Sequence, residues 1–214
     1  MHIALIGATG NIGQHILSEA LSRGHRVTAI VRHPEKLTPH NNLKAVAGSV
    51  YDTAALAAQL KGADAVISAF NPGWTDSELH QHQIEGNDSI IAATKQAGVK
   101  RLLVVGGAGS LQVPGGGIDV VDTPDFPEAW KGAATALRIT LQHLRSEQEL
   151  DWTLLSPAAE IGPGERTGRF RLGKDELLVD AKGESRISQA DYAVAMIDEL
   201  ESPQHSRQRF TLAY

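Results

Sequence analysis

Three glycines at spacing G-x-x-G-x-x-G, Gly7, Gly10 and Gly13, stand between an apolar run, Ile3 to Ile6, and a helical pattern carried by Ile16, Leu17, Ala20 and Leu21. Glycines placed this way let the backbone fold sharply off a strand, approach a ligand without a Cβ in between, and pack the new helix close to the strand. The free N–H groups and positive dipole end of that helix then converge on one spot, where a pyrophosphate would be held. The spacing differs from G-x-G-x-x-G, so the turn by itself does not name the cofactor. A second group of chemical interest is Arg32, with Lys36 nearby, just after the β-branched run Arg26 to Val31. An Asp or Glu at such a strand end would bond the 2′-hydroxyl of NAD. Arg32 instead favours the 2′-phosphate of NADP, with NAD still open and an exposed loop arginine as the plain alternative.

The groups that usually carry proton transfer are missing. The three tyrosines are Tyr51, Tyr192 and Tyr214, and none has a Lys four residues later, so no Y-x-x-x-K pair exists. The helix expected after the glycine-rich loop opens with Pro127-Glu128-Ala129-Trp130-Lys131. Trp130 can stack but cannot protonate an alkoxide, and Lys131 is the available stand-in as proton source or electrostatic partner. With no cysteine, thiolate nucleophiles, disulfides and thiolate metal sites are absent. The nine histidines show no H-E-x-x-H or other ligand spacing, and His80 and His82 lie in a polar stretch, so no metal site is expected.

The elements needed to position these groups follow in order. The first βαβ unit closes by residue 31. Leu43 to Gly48 predicts a third strand, Tyr51 to Leu60 a helix capped by Asp52 or Thr53, and Asp64 to Phe70 a wholly buried fourth strand ended by Asn71-Pro72-Gly73. Glu78 to Ala97 predicts a long helix and Arg101 to Val105 a fifth strand. Such alternation specifies α/β architecture, a doubly wound parallel sheet with helices on both faces. Residues 106 to 125 break it with six of the 21 glycines, a loop at a strand's carboxyl end where open sheets place ligands. A helix from Pro127 to about Gln148 and a strand from Trp152 to Leu155 follow. Beyond them come the loop from Gly162 to Gly173, a hairpin of Leu177–Val179 and Arg186–Ile187 about Lys182-Gly183, a helix from Gln189 to Leu200 and a strand from Arg209 to Leu212. Residues 1–214 thus read as one domain, with about 158–188 forming a small C-terminal cap on the substrate side. Glu165 and Arg166 form a charged pair that reads as a substrate lid or as a surface turn.

Composition sets outer limits. The chain of 214 residues has 42% apolar and 21% charged residues and a net charge of −5, with no basic cluster, which weighs against nucleic acid as a partner. No window spans a bilayer and no cleavable leader is visible, so no membrane association and a cytoplasmic location are expected.

The segments GATGNIG, VTAIVRHPEKL, KGADAVISAF, LLVVGGAGSL and DWTLLSPA with PGERTG together resemble the atypical short-chain dehydrogenase/reductases. More narrowly, the chain resembles the NmrA-like NAD(P)H-binding group that includes NADH-flavin reductases and is similar to biliverdin-IXβ/flavin reductase. The resemblance implies a Rossmann-type sheet, a bound nicotinamide cofactor and a monomer or weak homodimer. It assigns the pyrophosphate loop to Gly7, Thr9, Gly10, Asn11, Ile12 and Gly13, and the 2′-phosphate contact to Arg32. Ala69 and Phe70 would line the ribose side, and Pro157 would present its neighbouring backbone to the nicotinamide amide. Ser49, before Val50, replaces the usual Asp near the adenine, leaving a hydroxyl or backbone contact there. Ser110 matches an active-site serine. The histidine that follows the late proline in the biliverdin/flavin reductase is absent from Pro157-Ala158-Ala159-Glu160.

These readings converge on an NAD(P)H-dependent oxidoreductase that transfers hydride to a flavin, a quinone or a similar flat conjugated acceptor. Such a ring spreads the resulting charge and can take its proton from water. A non-catalytic NADP-binding redox sensor of NmrA-like type is the alternative. A nucleotide-sugar epimerase or dehydratase comes third, because it needs the absent Tyr.

Overall fold

The computed structural model describes Met1 to Tyr214. Strand β1 (His2–Ile6) leads through the glycine turn into α1 (Gly13–Ser22), and β2 (Arg26–Val31) completes the first unit. Then come β3 (Leu43–Ala47), α2 (Thr53–Leu60), β4 (Ala65–Ser68), α3 (Leu79–Gln96), β5 (Arg101–Val105), α4 (Glu128–Ser146) and β6 (Asp151–Ser156). The last stretch holds β7 (Glu160–Gly162), β8 (Arg171–Gly173), β9 (Arg186–Ser188), α5 (Gln189–Glu201) and β10 (Gln208–Ala213).

The main sheet runs β3-β2-β1-β4-β5-β6-β10-β8. Every pairing in it is parallel except β8 against β10. The reversal of strand order at β1 opens a crevice at the carboxyl ends of β1 and β4, the usual ligand position of a doubly wound sheet. Two apolar layers cover the sheet. One joins α1 and α5 through Ile16, Leu17, Ala193 and Ile197; the other joins α2, α3 and α4 through Leu56, Ile90 and Leu141. Central strands such as β4 are buried on both faces, which is why they read as unbroken apolar runs.

Local signals account for most boundaries. The Asp52 carboxylate accepts from Ala55 N–H and caps α2, and Ser188 caps α5 by accepting from Asp191 N–H. Gly24 and Gly98 adopt φ +80° and +74° just past α1 and α3, where a left-handed residue ends a helix.

The hairpin expected at Leu177–Val179 and Arg186–Ile187 does not form. The turn at Lys182-Gly183 is present, with Gly183 N–H donating to Asp180 O, but the arms diverge. Leu177 N–H donates to Gln112 O in the glycine loop, while β9 pairs in parallel with β7. Nearby loop carbonyls satisfy the first arm, and β7, exposed by the chain leaving β6, satisfies the second.

Candidate functional site

A cleft of about 1280 Å³ opens along the carboxyl edge of the sheet. Its position follows from the glycine turn. Gly7 has φ +80°, and a Cβ on it would lie 2.5 Å from Ala69 O. A Cβ on Gly13 would lie 2.8 Å from the Gly7 carbonyl carbon and closer still to its oxygen. These two glycines set how tightly α1 sits on β1 and β4. Gly10, Asn11 and Ile12 face the cleft itself.

No side chain caps the start of α1. Gly10 N–H donates to Gly7 O and Gln14 N–H to Gly10 O, whereas the N–H groups of Asn11, Ile12 and Gly13 donate to no backbone carbonyl. Unpaired amides at a ten-residue helix's positive end, bordering a cleft, form an anion cradle. The chain therefore fits a dinucleotide pyrophosphate.

The cradle's neighbours extend the site. Arg32, exposed after β2, lines the cleft and donates from Nη1 to Pro72 O at 3.4 Å. Ala69 and Phe70 line it at the end of β4. The Phe70 ring lies over Gly86 of α3, where a Cβ would collide with it, and meets Tyr51 edge to face at 6.1 Å. Pro157 is buried and lines the far half of the cleft after β6.

Several expected residues lie elsewhere. Thr9 is exposed on the turn but is not part of the cleft wall. Ser49 Oγ accepts from Tyr51 N–H and Val50 O accepts from Ser89, so both belong to the loop before α2 rather than to the cleft lining. Ser110, within the glycine loop, is buried. There Arg209 donates to Ser110 O at 3.2 Å and to its Oγ at 3.4 Å. Lys131 points along the outside of α4 toward Glu128 at 3.5 Å. Neither Ser110 nor Lys131 lines the cleft.

The wall opposite the cradle is an apolar stripe. Trp130, Ala133, Ala134 and Leu137, spaced i, i+3, i+4 and i+7 on α4, face the cleft together with Phe126. They press against the glycine loop closely enough that a Cβ on Gly109 would come within 2.7 Å of Ala134 Cβ. Where a Y-x-x-x-K pair would stand, this helix shows the cleft no titratable group.

The loop after β7 closes the far end. Glu165 and Arg166 do not pair with each other as a free lid would allow. Arg166 forks onto Glu19 of α1 with both bonds at 2.8 Å, and Asp191 accepts from the N–H groups of Thr167 and Gly168. Burial raises the Asp191 pKa, but its bonds from Thr167, Gly168 and Tyr214 outweigh that and hold it below the ordinary carboxylate value. This loop is fastened down.

Sequence reasoning missed Trp74, Glu160 and Tyr214 in the cleft wall. The exposure of Trp74, 63%, has no signature in a Pro-Gly turn, and Tyr214 lies far from the cleft in sequence. Glu160 alone carried a signal, its place three residues after Pro157. No group of three or more His, Asp or Glu side chains is placed to hold a metal ion, and no helix is long and apolar enough to cross a membrane.

Comparison with known proteins agrees with the cradle. A family model described as NAD(P)H-binding matches residues 7–203. The chain is 44% identical over 215 residues to YwnB of Bacillus subtilis (strain 168), covering 99% of this chain and 98% of that protein. A solved Bacteroides thetaiotaomicron structure, named as an epimerase, is 47% identical with a TM-score of 0.93, covering 100% of this chain and 96% of that one. A Streptococcus pneumoniae structure, named as an NADH-flavin reductase, is 36% identical with a TM-score of 0.84, covering 100% and 99%. The unpaired amides of the first turn and these matches lead to one conclusion: the chain belongs to the NAD(P)H-binding family.

Proposed function

We propose that this protein is an NADPH-dependent reductase that passes hydride to a flavin, a quinone or another flat conjugated acceptor. The observation that carries this reading is the cleft face of α4, where Trp130, Ala133, Ala134 and Leu137 replace the acid that carbonyl reduction requires. When bound, the reduced nicotinamide supplies the hydride. The chain's residues bind and orient. Asn11, Ile12 and Gly13 N–H groups hold the pyrophosphate, Arg32 offers a guanidinium to a 2′-phosphate, and the Pro157 backbone faces the nicotinamide end. The apolar wall excludes water from one side of the acceptor and holds its ring in place, so that proximity provides the acceleration. The acceptor's proton comes from solvent through the open mouth. Ser110 anchors the glycine loop by accepting from Arg209, and Lys131 contributes only surface charge.

Adding menadione or riboflavin to protein and NADPH, while following the near-ultraviolet band of the reduced nicotinamide, tests this directly. Oxidation that depends on the protein supports it, and oxidation faster with NADPH than with NADH supports the role of Arg32. The same apolar face also suits a redox sensor, which would bind NADPH in a calorimetric titration yet fail to oxidise it whichever acceptor is added. Epimerase chemistry, suggested by the name of the Bacteroides relative, would need a proton donor that α4 does not present.

A further inference from the structure

The two ends of the cleft differ in charge. Arg32 stands at the cradle end. At the other end, the loops carrying β7 and β9 line the cleft with four carboxylates, Glu160, Glu165, Asp180 and Glu184, against one guanidinium, Arg186. Arg186 is matched by Glu184. Asp180 accepts from the N–H groups of Glu184 and Lys182 at 2.9 and 2.8 Å, which hold its carboxyl below the ordinary range and keep it ionised. Glu160 and Glu165 are exposed.

A second, independent feature lies between these ends. Trp130 is 54% exposed although it lines the cleft, and the next turn of α4 behind it offers only Ala133 and Ala134. An indole with a free face beside small side chains forms a slot for a flat ring.

Resting on the hydride-transfer reading of this same cleft, we infer that its acceptor is a planar ring system without phosphate or carboxylate groups, stacked on Trp130 and facing the carboxylates of the β7–β9 loops. The site takes riboflavin or a quinone in preference to flavin mononucleotide. A phosphate dianion placed among these carboxylates, three of which have no cationic partner in the cleft, meets like charge, whereas a neutral ring does not. The same carboxylates suit the reaction, because giving up hydride leaves positive charge on the nicotinamide ring.

The test is equilibrium titration of the NADP⁺-saturated protein with riboflavin and with flavin mononucleotide, read by quenching of flavin fluorescence. Riboflavin is expected to bind about tenfold more tightly. In the Glu160→Gln, Glu165→Gln double variant the gap narrows because the mononucleotide binds better, with riboflavin unchanged. Trp130→Ala weakens riboflavin about fivefold and Trp130→Phe restores it, while both keep the wild-type Kd for NADP⁺, which shows that they fold. Equal or tighter binding of the mononucleotide, or no binding of either flavin, overturns the inference. A riboflavin preference without any NADPH oxidation supports the ligand class and overturns only the hydride-transfer reading.

Discussion

Arg166 grips Glu19 with two parallel bonds of 2.8 Å, joining the loop at the far end of the cleft to the helix that starts at the glycine cradle. Glu19 is nearly buried and also accepts from Arg23 at 2.7 Å, which in turn bonds Asp198 and Glu201 on α5. The first consequence concerns pH. The bond from Arg166 is the main influence on Glu19; burial opposes it, the bond from Arg23 assists it, and the carboxyl is held below its ordinary value of 4.5. A depressed carboxylate pKa adds stability that is complete above 4.5 and is lost as pH falls through the folded-state value. Glu19→Gln should lower Tm by about 2 to 4 °C near neutral pH, with a smaller difference in acid; thermal melts of both proteins across that range check this.

Two glycines of the first βαβ unit should respond differently to the same change. Gly24→Ala meets open space and costs only the strain of φ +80°, about 1 kcal/mol, with cofactor affinity intact. Gly13→Ala drives a methyl into the Gly7 carbonyl and must push α1 off the strand, costing about 1 to 3 kcal/mol and removing NADPH binding. Calorimetric titration together with melting curves separates the two.

Arg32 should decide between the two nicotinamide cofactors. Losing a charge-assisted bond to a 2′-phosphate costs about 1.5 to 3 kcal/mol, so Arg32→Ala should raise the Kd for NADPH by about tenfold or more and leave NADH nearly unchanged. An equal loss for both cofactors would assign Arg32 to the loop alone, where its present partner is Pro72 O.

The buried Arg209 holds the glycine loop from below. It bonds Ser110, Ser156 beside Pro157, and Asp175. Arg209→Met should raise KM for the acceptor while the Kd for NADPH stays within about twofold, because the cradle lies across the sheet from it. Ser110→Ala should change both by less, since its hydroxyl receives only a long bond of 3.4 Å. Steady-state kinetics over acceptor concentration give the split.

The sequence made the cradle half of the molecule legible for physical reasons. Ile3 to Ile6 is unbroken apolar because β1 is buried on both faces, Gly7 and Gly13 are glycine because nothing larger fits, and Asp52 caps α2 by a bond that spans only three residues. The C-terminal part was less legible. Strands β7, β8 and β9 have three residues each, too short for a period, and their partners are set by tertiary placement rather than by neighbouring turns. Lys182-Gly183 does mark a turn, yet Leu177 is drawn to Gln112 instead of across it. Arg166 lies next to Glu165 in the chain and bonds a carboxylate 147 residues away, a choice no local pattern encodes.

Hydride transfer without a protein acid makes a demand that one experiment can meet: single-turnover reduction of menadione by the protein's bound NADPH, with and without deuterium at the transferred position, from about pH 6 to 9. The cleft described above predicts a rate that depends on the protein, slows with deuterium and stays flat with pH. No reduction of menadione, or a rate that rises or falls with the titration of a single group, would contradict it.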